Sequence, residues 1–243
     1  MNQVIRNYTH SSEIILSVRE KNGKKFFRKS SYSHHGIENL LREYEGYIWY
    51  EARSKKLHHI EKKNIGDSYL ELNIPFFEYD SKAKKKLNNR DLNFFFEAIN
   101  HYRDIWLLGE LENELHPIHG DFSLDGNILF KDRNIFVIDW EHFHKKKAPL
   151  GYDVLYMIFE SLKIEIKQGN PSRYLLENVF KLIRYAYNNK CVSEYFNGNF
   201  LEKFLAYQES IIDIWGAQKD KLPTYQYSNK QLNNIIPHFR ITF

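Results

Sequence analysis

The sequence predicts an α+β fold in two parts, a small strand-rich first part and a mostly helical second part. Three observations carry this expectation. The first seventy-odd residues hold short alternating, β-branched runs around a single amphipathic segment. The remainder is dominated by long helical stripes. One polar, glycine-punctuated stretch, residues 116–141, interrupts those helices. Pro75 marks the change of character, so the expected domains are residues 1–74 and 75–243, two lobes with a cleft at their join.

Taken in order, "EIILSVRE" (13–20) alternates, "KNG" (21–23) is a turn and "KKFFRKS" (24–30) is a second strand, which together predict a hairpin. "IENLLREYEGYIWYEARSKK" (37–56) spaces Leu40, Leu41, Tyr44, Ile48 and Trp49 as an amphipathic helix. "SYLELNI" (68–74) alternates again and stops at Pro75. Residues 90–115 carry a long apolar stripe of helical period. "NILF", "KDRN" and "IFVID" then make a short hairpin with a polar turn. Helices are expected over 152–167, 172–188 and 198–217, with a short one at the end.

Composition narrows the classes of function. A chain of 243 residues with 42% hydrophobic and 27% charged residues has ample core for a soluble globular protein. A net charge of +4 is mildly basic, but Lys82–Lys86 and Lys145–Lys147 are too short and scattered for a nucleic-acid stripe. Cys191 is the only cysteine, which excludes an intramolecular disulfide and a cysteine zinc site. The N-terminus lacks the apolar core of a signal peptide, and no apolar run approaches membrane-spanning length. The expectation is a soluble, cytoplasmic protein without a nucleic-acid partner.

"HPIHGDFSLDGNILFKDRNIFVIDWE" (116–141) gathers Asp121, Asp125, Asn127, Asp139 and Glu141 between apolar strands. A core gains nothing from carboxylates, each of which costs energy to bury unless it is paired or metal-bound. Gly120 and Gly126 allow tight turns, so Asp121 to Asn127 is a loop entering a strand, and the hairpin returns Asp139 beside it. The Asn127 carbonyl and the Asp139 carboxylate suit a hard, oxygen-loving ion such as Mg²⁺. Asp121 remains as a carboxylate able to orient a hydroxyl and accept its proton. A metal and a base at a lobe junction are the equipment of phosphoryl transfer.

At these residues the chain resembles the aminoglycoside phosphotransferase/choline kinase family, small-molecule kinases with a protein-kinase-like fold. "HGDFSLDGN" is similar to the family's catalytic loop, roughly H-G-D-x-x-x-x-N, and "VIDWE" to the I-D-[WF]-E that replaces the D-F-G of protein kinases. The resemblance implies ATP and Mg²⁺ as cofactors, Asp121 as the catalytic base, Asn127 and Asp139 as metal ligands, and His119 as a brace for the loop. It also implies a buried Asp at the start of the following helix, and "APLGYDVLYMI" supplies Asp153 there. The loop departs from the pattern, with five residues, Phe122 to Gly126, between Asp and Asn. Either Asn127 still reaches the metal or Asp125 replaces it, and Asn127 is the preferred ligand.

In the first lobe the resemblance implies a cation for the α/β-phosphates and a helix acid to pair with it. Lys29 is expected in the first role, with Arg28 as the alternative, because successive strand residues face opposite sides. Glu43 is expected in the second, with Glu45 as the alternative. "NYTHSS" (7–12) would cover the phosphates in place of a glycine-rich loop, and the adenine hinge falls near Ile74–Phe77.

Competing readings are blander. Asp125 suits an ordinary Asp-Gly turn, Glu141 a supporting acid, His142 and His144 surface, and His58–His59 with Glu61 a solvated edge lacking a third ligand. Trp215, Tyr225 and Tyr227 are either core or a stacking surface for the acceptor. The expected activity is ATP- and Mg²⁺-dependent phosphorylation of a small-molecule hydroxyl. A sugar or glycan precursor comes first, choline or ethanolamine next, and a non-catalytic pseudokinase module is the rival from another class.

Overall fold

The first unit is built on the expected hairpin. In the structure, a computed structural model, the described residues are 3–9, 13–56, 59–77, 79, 92–108, 115–124, 126–132, 134–161, 172–210 and 240–241. They form two compact units, residues 1–79 with 139–143, and residues 80–138 with 144–243. Strands β1 (Gln3–Thr9), β2 (Ile15–Lys21) and β3 (Lys24–Ser31) run antiparallel, followed by helix α1 (His34–Ser54), β4 (Glu61–Asn64) and β5 (Leu70–Pro75). The sheet order is β1-β2-β3-β5-β4. In its register Leu16, Lys29 and Leu72 are aligned across three strands, while Ser17, Arg28 and Asn73 form the next row. Adjacent rows face opposite sides of the sheet, so Lys29 and Arg28 point apart.

Helix α1 starts at Ser33, whose hydroxyl caps the Gly36 N–H at 3.0 Å. Its buried face is Gly36, Asn39, Leu40, Glu43, Gly46, Tyr47 and Tyr50, with Trp49 beside it. This differs from the stripe read from the sequence, since Leu41 and Ile48 are exposed. The helix is rotated to carry the polar Glu43 inward, at a cost in apolar burial that an amphipathicity count does not anticipate. Residues 139–143 pack on this unit. Trp140 is fully buried, with ring centroids 5.3 Å from Tyr50 and 5.8 Å from Trp49. Gly46 permits that approach, because a Cβ there would lie 2.5 Å from the Trp140 Cβ.

The second unit contains α2 (Asn93–Trp106), β6 (His116–Ile118), the hairpin β7 (Ile128–Lys131) and β8 (Asn134–Val137), and β9 (His144–Ala148), which pairs antiparallel with β6. Helices α3 (Tyr152–Glu160) and α4 (Arg173–Asn188) follow, then a 3₁₀ turn, Glu194–Phe196. Strand β10 (Gly198–Asn199) pairs with β11 (Arg240–Ile241), and α5 (Phe200–Ser210) lies between them in sequence. Every residue of α3 from Tyr152 to Phe159 is buried, and Asp153 is the one charged side chain among them. The Phe204 ring of α5 lies 5.2 Å from both Tyr152 and Phe159. Gly151 begins α3 at φ 94°, where a Cβ would lie 2.7 Å from the Cys191 carbonyl oxygen. Only glycine fits both demands.

The expected short terminal helix, the far ends of the helices expected over 152–167 and 198–217, and residues 10–12 of the segment expected to cover the phosphates lie outside the described residues. Trp215, Tyr225, Tyr227, Asp125 and His58 do as well. No helix among the described residues is long and apolar enough to cross a membrane.

Candidate active site

In the first unit the structure brings together Lys29, Glu43 and Asp139. The Lys29 ammonium donates to Glu43 Oε1 at 2.8 Å and Oε2 at 3.0 Å, and to Asp139 Oδ1 at 2.6 Å. The Glu43 side chain is 1% exposed, Lys29 14% and Asp139 32%, so the cluster opens on the Asp139 side. Arg28 sits on the opposite sheet face, its Nε 3.3 Å from Glu71 and 3.2 Å from Asn73. Glu45 is exposed on α1. Of each alternative pair, Lys29 and Glu43 are therefore the two that meet.

Burial works against both charges here. It would lower the Lys29 pKa, but Asp139 and then Glu43 outweigh it and hold the ammonium well above its ordinary value. Burial pushes Glu43 up to about 7, against the opposing pull of Lys29. The two shifts favour different states of one pair. The two-oxygen contact at 2.8 and 3.0 Å decides for the ion pair, since a protonated carboxyl would put a donor against a donor.

Asp139 itself is held by its backbone. It adopts φ 65°, in the left-handed region that Asp tolerates better than most residues, and its N–H donates to the Tyr47 hydroxyl at 3.1 Å. Tyr47 is fully buried one turn beyond Glu43. The sequence reading missed it, although an i, i+4 spacing from Glu43 on the inward face was the available signal.

The second unit holds the other group of residues. Asp153, at the start of α3, accepts the N–H of His119 at 2.8 Å and of Gly120 at 3.0 Å, one on each carboxylate oxygen. Burial pushes its pKa up to about 7 despite those two donors. The buried His119 ring accepts the Asp121 N–H on Nδ1 at 3.2 Å, so Nε2 bears the proton and donates to the Ile138 carbonyl at 2.9 Å. That single tautomer ties the loop to the end of the β7–β8 hairpin.

The Asp121 carboxylate is partly exposed, and both of its oxygens are engaged. Tyr156 donates to Oδ1 at 2.8 Å, and Asn127 Nδ2 donates to Oδ2 at 2.9 Å and to the Asp121 carbonyl at 2.7 Å. The extra loop residue is absorbed in a turn closed by Ser123, whose carbonyl takes the N–H of Asn127 at 3.1 Å and of Ile128 at 2.9 Å. Asn127 therefore stays beside Asp121 despite the longer loop.

Magnesium favours a few carboxylate or carbonyl oxygens, supplemented by water and phosphate. Asn127 in the second unit and Asp139 in the first, each taken by itself, offer such an oxygen. With the Asn127 amide nitrogen committed to Asp121, its Oδ1 accepts no hydrogen bond among the described residues, and neither does Asp139 Oδ2. The described residues hold no cluster of three His, Cys, Asp or Glu side chains that would make a self-sufficient metal cage. His59 is exposed, in a left-handed conformation. Two grooves of about 420 and 430 Å³ open elsewhere, one along α4 and one on the Arg28 face of the sheet; Arg28, Asn73 and His59 line the second, and Lys29, Glu43, Asp121, Asn127 and Asp139 line neither.

No protein-family model matches this chain, and no curated protein matches it in sequence. Solved structures do resemble it. A crystal structure of an aminoglycoside-3'-phosphotransferase of type VIII superposes with a TM-score of 0.54 at 14% identity, covering 85% of this chain and 91% of that one. A spectinomycin phosphotransferase solved with ADP and spectinomycin has a TM-score of 0.46 at 13% identity, over 98% and 88% of the two chains. The first similarity is one of fold, and with the strand-rich first unit and helical second unit it defines an α+β, protein-kinase-like fold.

Proposed function

We propose that this chain is an ATP- and magnesium-dependent phosphotransferase acting on a hydroxyl of a small molecule, a sugar or sugar-containing glycan precursor. The observation that carries the reading is the Lys29 ammonium held between the buried Glu43 and the more exposed Asp139. A buried acid that fixes a lysine beside a second, solvent-facing carboxylate is the arrangement needed to present one positive charge to phosphates next to a metal-binding oxygen. The fold shared with an aminoglycoside phosphotransferase supports the same reading.

In this reading Lys29 meets the α/β-phosphates and Glu43 keeps it aimed. Asn127 and Asp139 would hold magnesium, which supplies neutralisation of the phosphate charge. Asp121 orients the acceptor hydroxyl and takes its proton as the new O–P bond to the γ-phosphorus forms. The bond from that phosphorus to the β–γ bridging oxygen breaks, and its electron pair leaves with ADP. Asp153 and His119 hold the loop that carries Asp121.

The choice of acceptor rests on charge. A polycation would need several carboxylates around its amines, because each unpaired ammonium taken from water costs energy. Strand β9 instead carries Lys145, Lys146 and Lys147, followed by the aromatic Tyr207 on α5, whose hydroxyl donates to the Lys147 carbonyl at 2.6 Å. Lysines and aromatic faces suit hydroxylated rings and any attached phosphate. The test is ATP consumption against sugars, choline, ethanolamine and aminoglycosides, with Asp121→Asn as the control. A sugar-class acceptor should be turned over by the native chain, and the variant should be slower by a factor of about 10² to 10⁴. Preference for kanamycin-like compounds or choline would reassign the acceptor. Binding of ATP without turnover of any acceptor would leave a non-catalytic module.

A further inference from the structure

One turn of α3 holds three consecutive residues of the loop. Asp153 takes the N–H groups of His119 and Gly120, and Tyr156, three residues further along the same helix, reaches the side chain of the next residue, Asp121. Residues three apart lie on one face of a helix, so a single face supplies both contacts. The two contacts do different work. Asp153 fixes the backbone, whereas the Tyr156 hydroxyl fixes the rotation of the carboxylate itself, opposite the Asn127 amide on its other oxygen.

Tyr156 is 1% exposed in a helix whose neighbours Val154, Leu155, Met157 and Ile158 are all fully buried and apolar. Packing alone would be served by phenylalanine, and a buried hydroxyl costs energy unless it is bonded. The bond it makes goes to a partly exposed carboxylate. A carboxylate with two engaged oxygens loses the torsional freedom that would otherwise have to be frozen out as a hydroxyl approaches, while it keeps further acceptor capacity.

We propose that Tyr156 is a positioning residue for Asp121, setting the rotamer in which that carboxylate meets the acceptor hydroxyl. The proposal deepens the phosphotransferase reading and rests on it for its functional half, whereas the hydrogen bond itself stands apart from any activity. The hydroxyl does not touch the acceptor. It acts through Asp121, and its removal should change the rate of transfer and leave nucleotide affinity alone.

Two measurements on the full chain separate these halves. The protein is labelled with 3-fluorotyrosine, and the ¹⁹F resonance absent from Tyr156→Phe is assigned to position 156. Asp121→Asn should shift that resonance beyond any change at the other tyrosines, and an unmoved signal overturns the pairing. Slow hydrolysis of Mg-ATP, with water as acceptor, is then compared between the native chain and Tyr156→Phe, a substitution that keeps the ring and its packing. The expected result is a kcat lower by about 10- to 100-fold with KM for ATP unchanged, the scale on which a residue supporting a functional group usually acts. Hydrolysis that depends on Asp121 but not on Tyr156 overturns the positioning role and leaves the phosphotransferase standing. A shifted resonance with no hydrolysis by the native chain keeps the pairing and removes the phosphotransferase.

Discussion

The two units hold their functional carboxylates by different means. Around Lys29 in the first unit, an ammonium lies between Glu43 and Asp139, and charge balances charge. Around Asp121 in the second, a phenol and an amide donate to the carboxylate, its own N–H is taken by the His119 ring, and Asp153 holds the N–H groups of the two preceding residues. An ammonium between two carboxylates fixes both by charge, and for Glu43 it does so against a burial that raises its pKa. That suits a group meant to hold phosphate or metal. Neutral donors fix the rotation of a carboxylate without placing a full charge beside it, which suits the proton-accepting role proposed for Asp121. Under the proposed function, binding and proton transfer would fall to differently built surroundings.

If the first unit depends on charge, removing one should be costly. Glu43→Gln leaves Lys29 buried with Asp139 alone, and breaking one partner of a buried pair is expected to destabilise the first unit by about 3 kcal/mol. Denaturant unfolding measures this. A loss within about 0.5 kcal/mol of zero would mean that the pair is not structural and that the contrast between the units is overstated.

A smaller effect is expected in the second unit, and it carries a sign. Burial holds the folded pKa of Asp153 at about 7, above the ordinary value of 3.8. The folded state is then the better proton binder between those values. The stability from this group is fully present below about 4 and is lost as pH rises through about 7. Asp153→Asn removes the titration and replaces one of the two oxygens that accept backbone N–H groups, at a cost of about 1–3 kcal/mol. The deficit of the variant should be largest near pH 4 and shrink toward pH 7. A deficit that grows with pH would show that Asp153 is an ionised anchor and that the second unit also relies on charge.

Much of this was legible in the sequence, and the limits have physical reasons. The β2–β3 hairpin and the β7–β8 hairpin were readable because alternation and turn residues are local signals. Strand β4 was not, because "EKKN" is exposed along its whole length and has no alternation to detect. Strand β9, with three lysines, has none either. The face of α1 was misjudged because its inward position is occupied by Glu43 in place of a leucine. The meeting of Lys29 with Glu43 is a tertiary fact that strand parity only halved in advance. Tyr47 and Tyr156 escaped notice because a tyrosine on a buried helix face looks like core until its hydroxyl is given a partner. The five-residue loop posed a choice of ligand that sequence could not decide, and the Ser123 turn shows how Asn127 keeps its place beside Asp121.

The central claim is that the Asp139 carboxylate serves magnesium-bound ATP. The most direct measurement is the shift of the thermal midpoint caused by ATP in Mg²⁺ and in EDTA, each compared with the same variant free of nucleotide. At ATP about 100-fold above Kd, linkage contributes about 2.7 kcal/mol, a rise of roughly 5–10 °C for a chain of this size. The native chain should show that rise in Mg²⁺ and clearly less in EDTA, and Asp139→Ala should lose the magnesium-dependent part. Equal shifts in Mg²⁺ and EDTA, or a magnesium-dependent shift that survives in Asp139→Ala, would contradict the account.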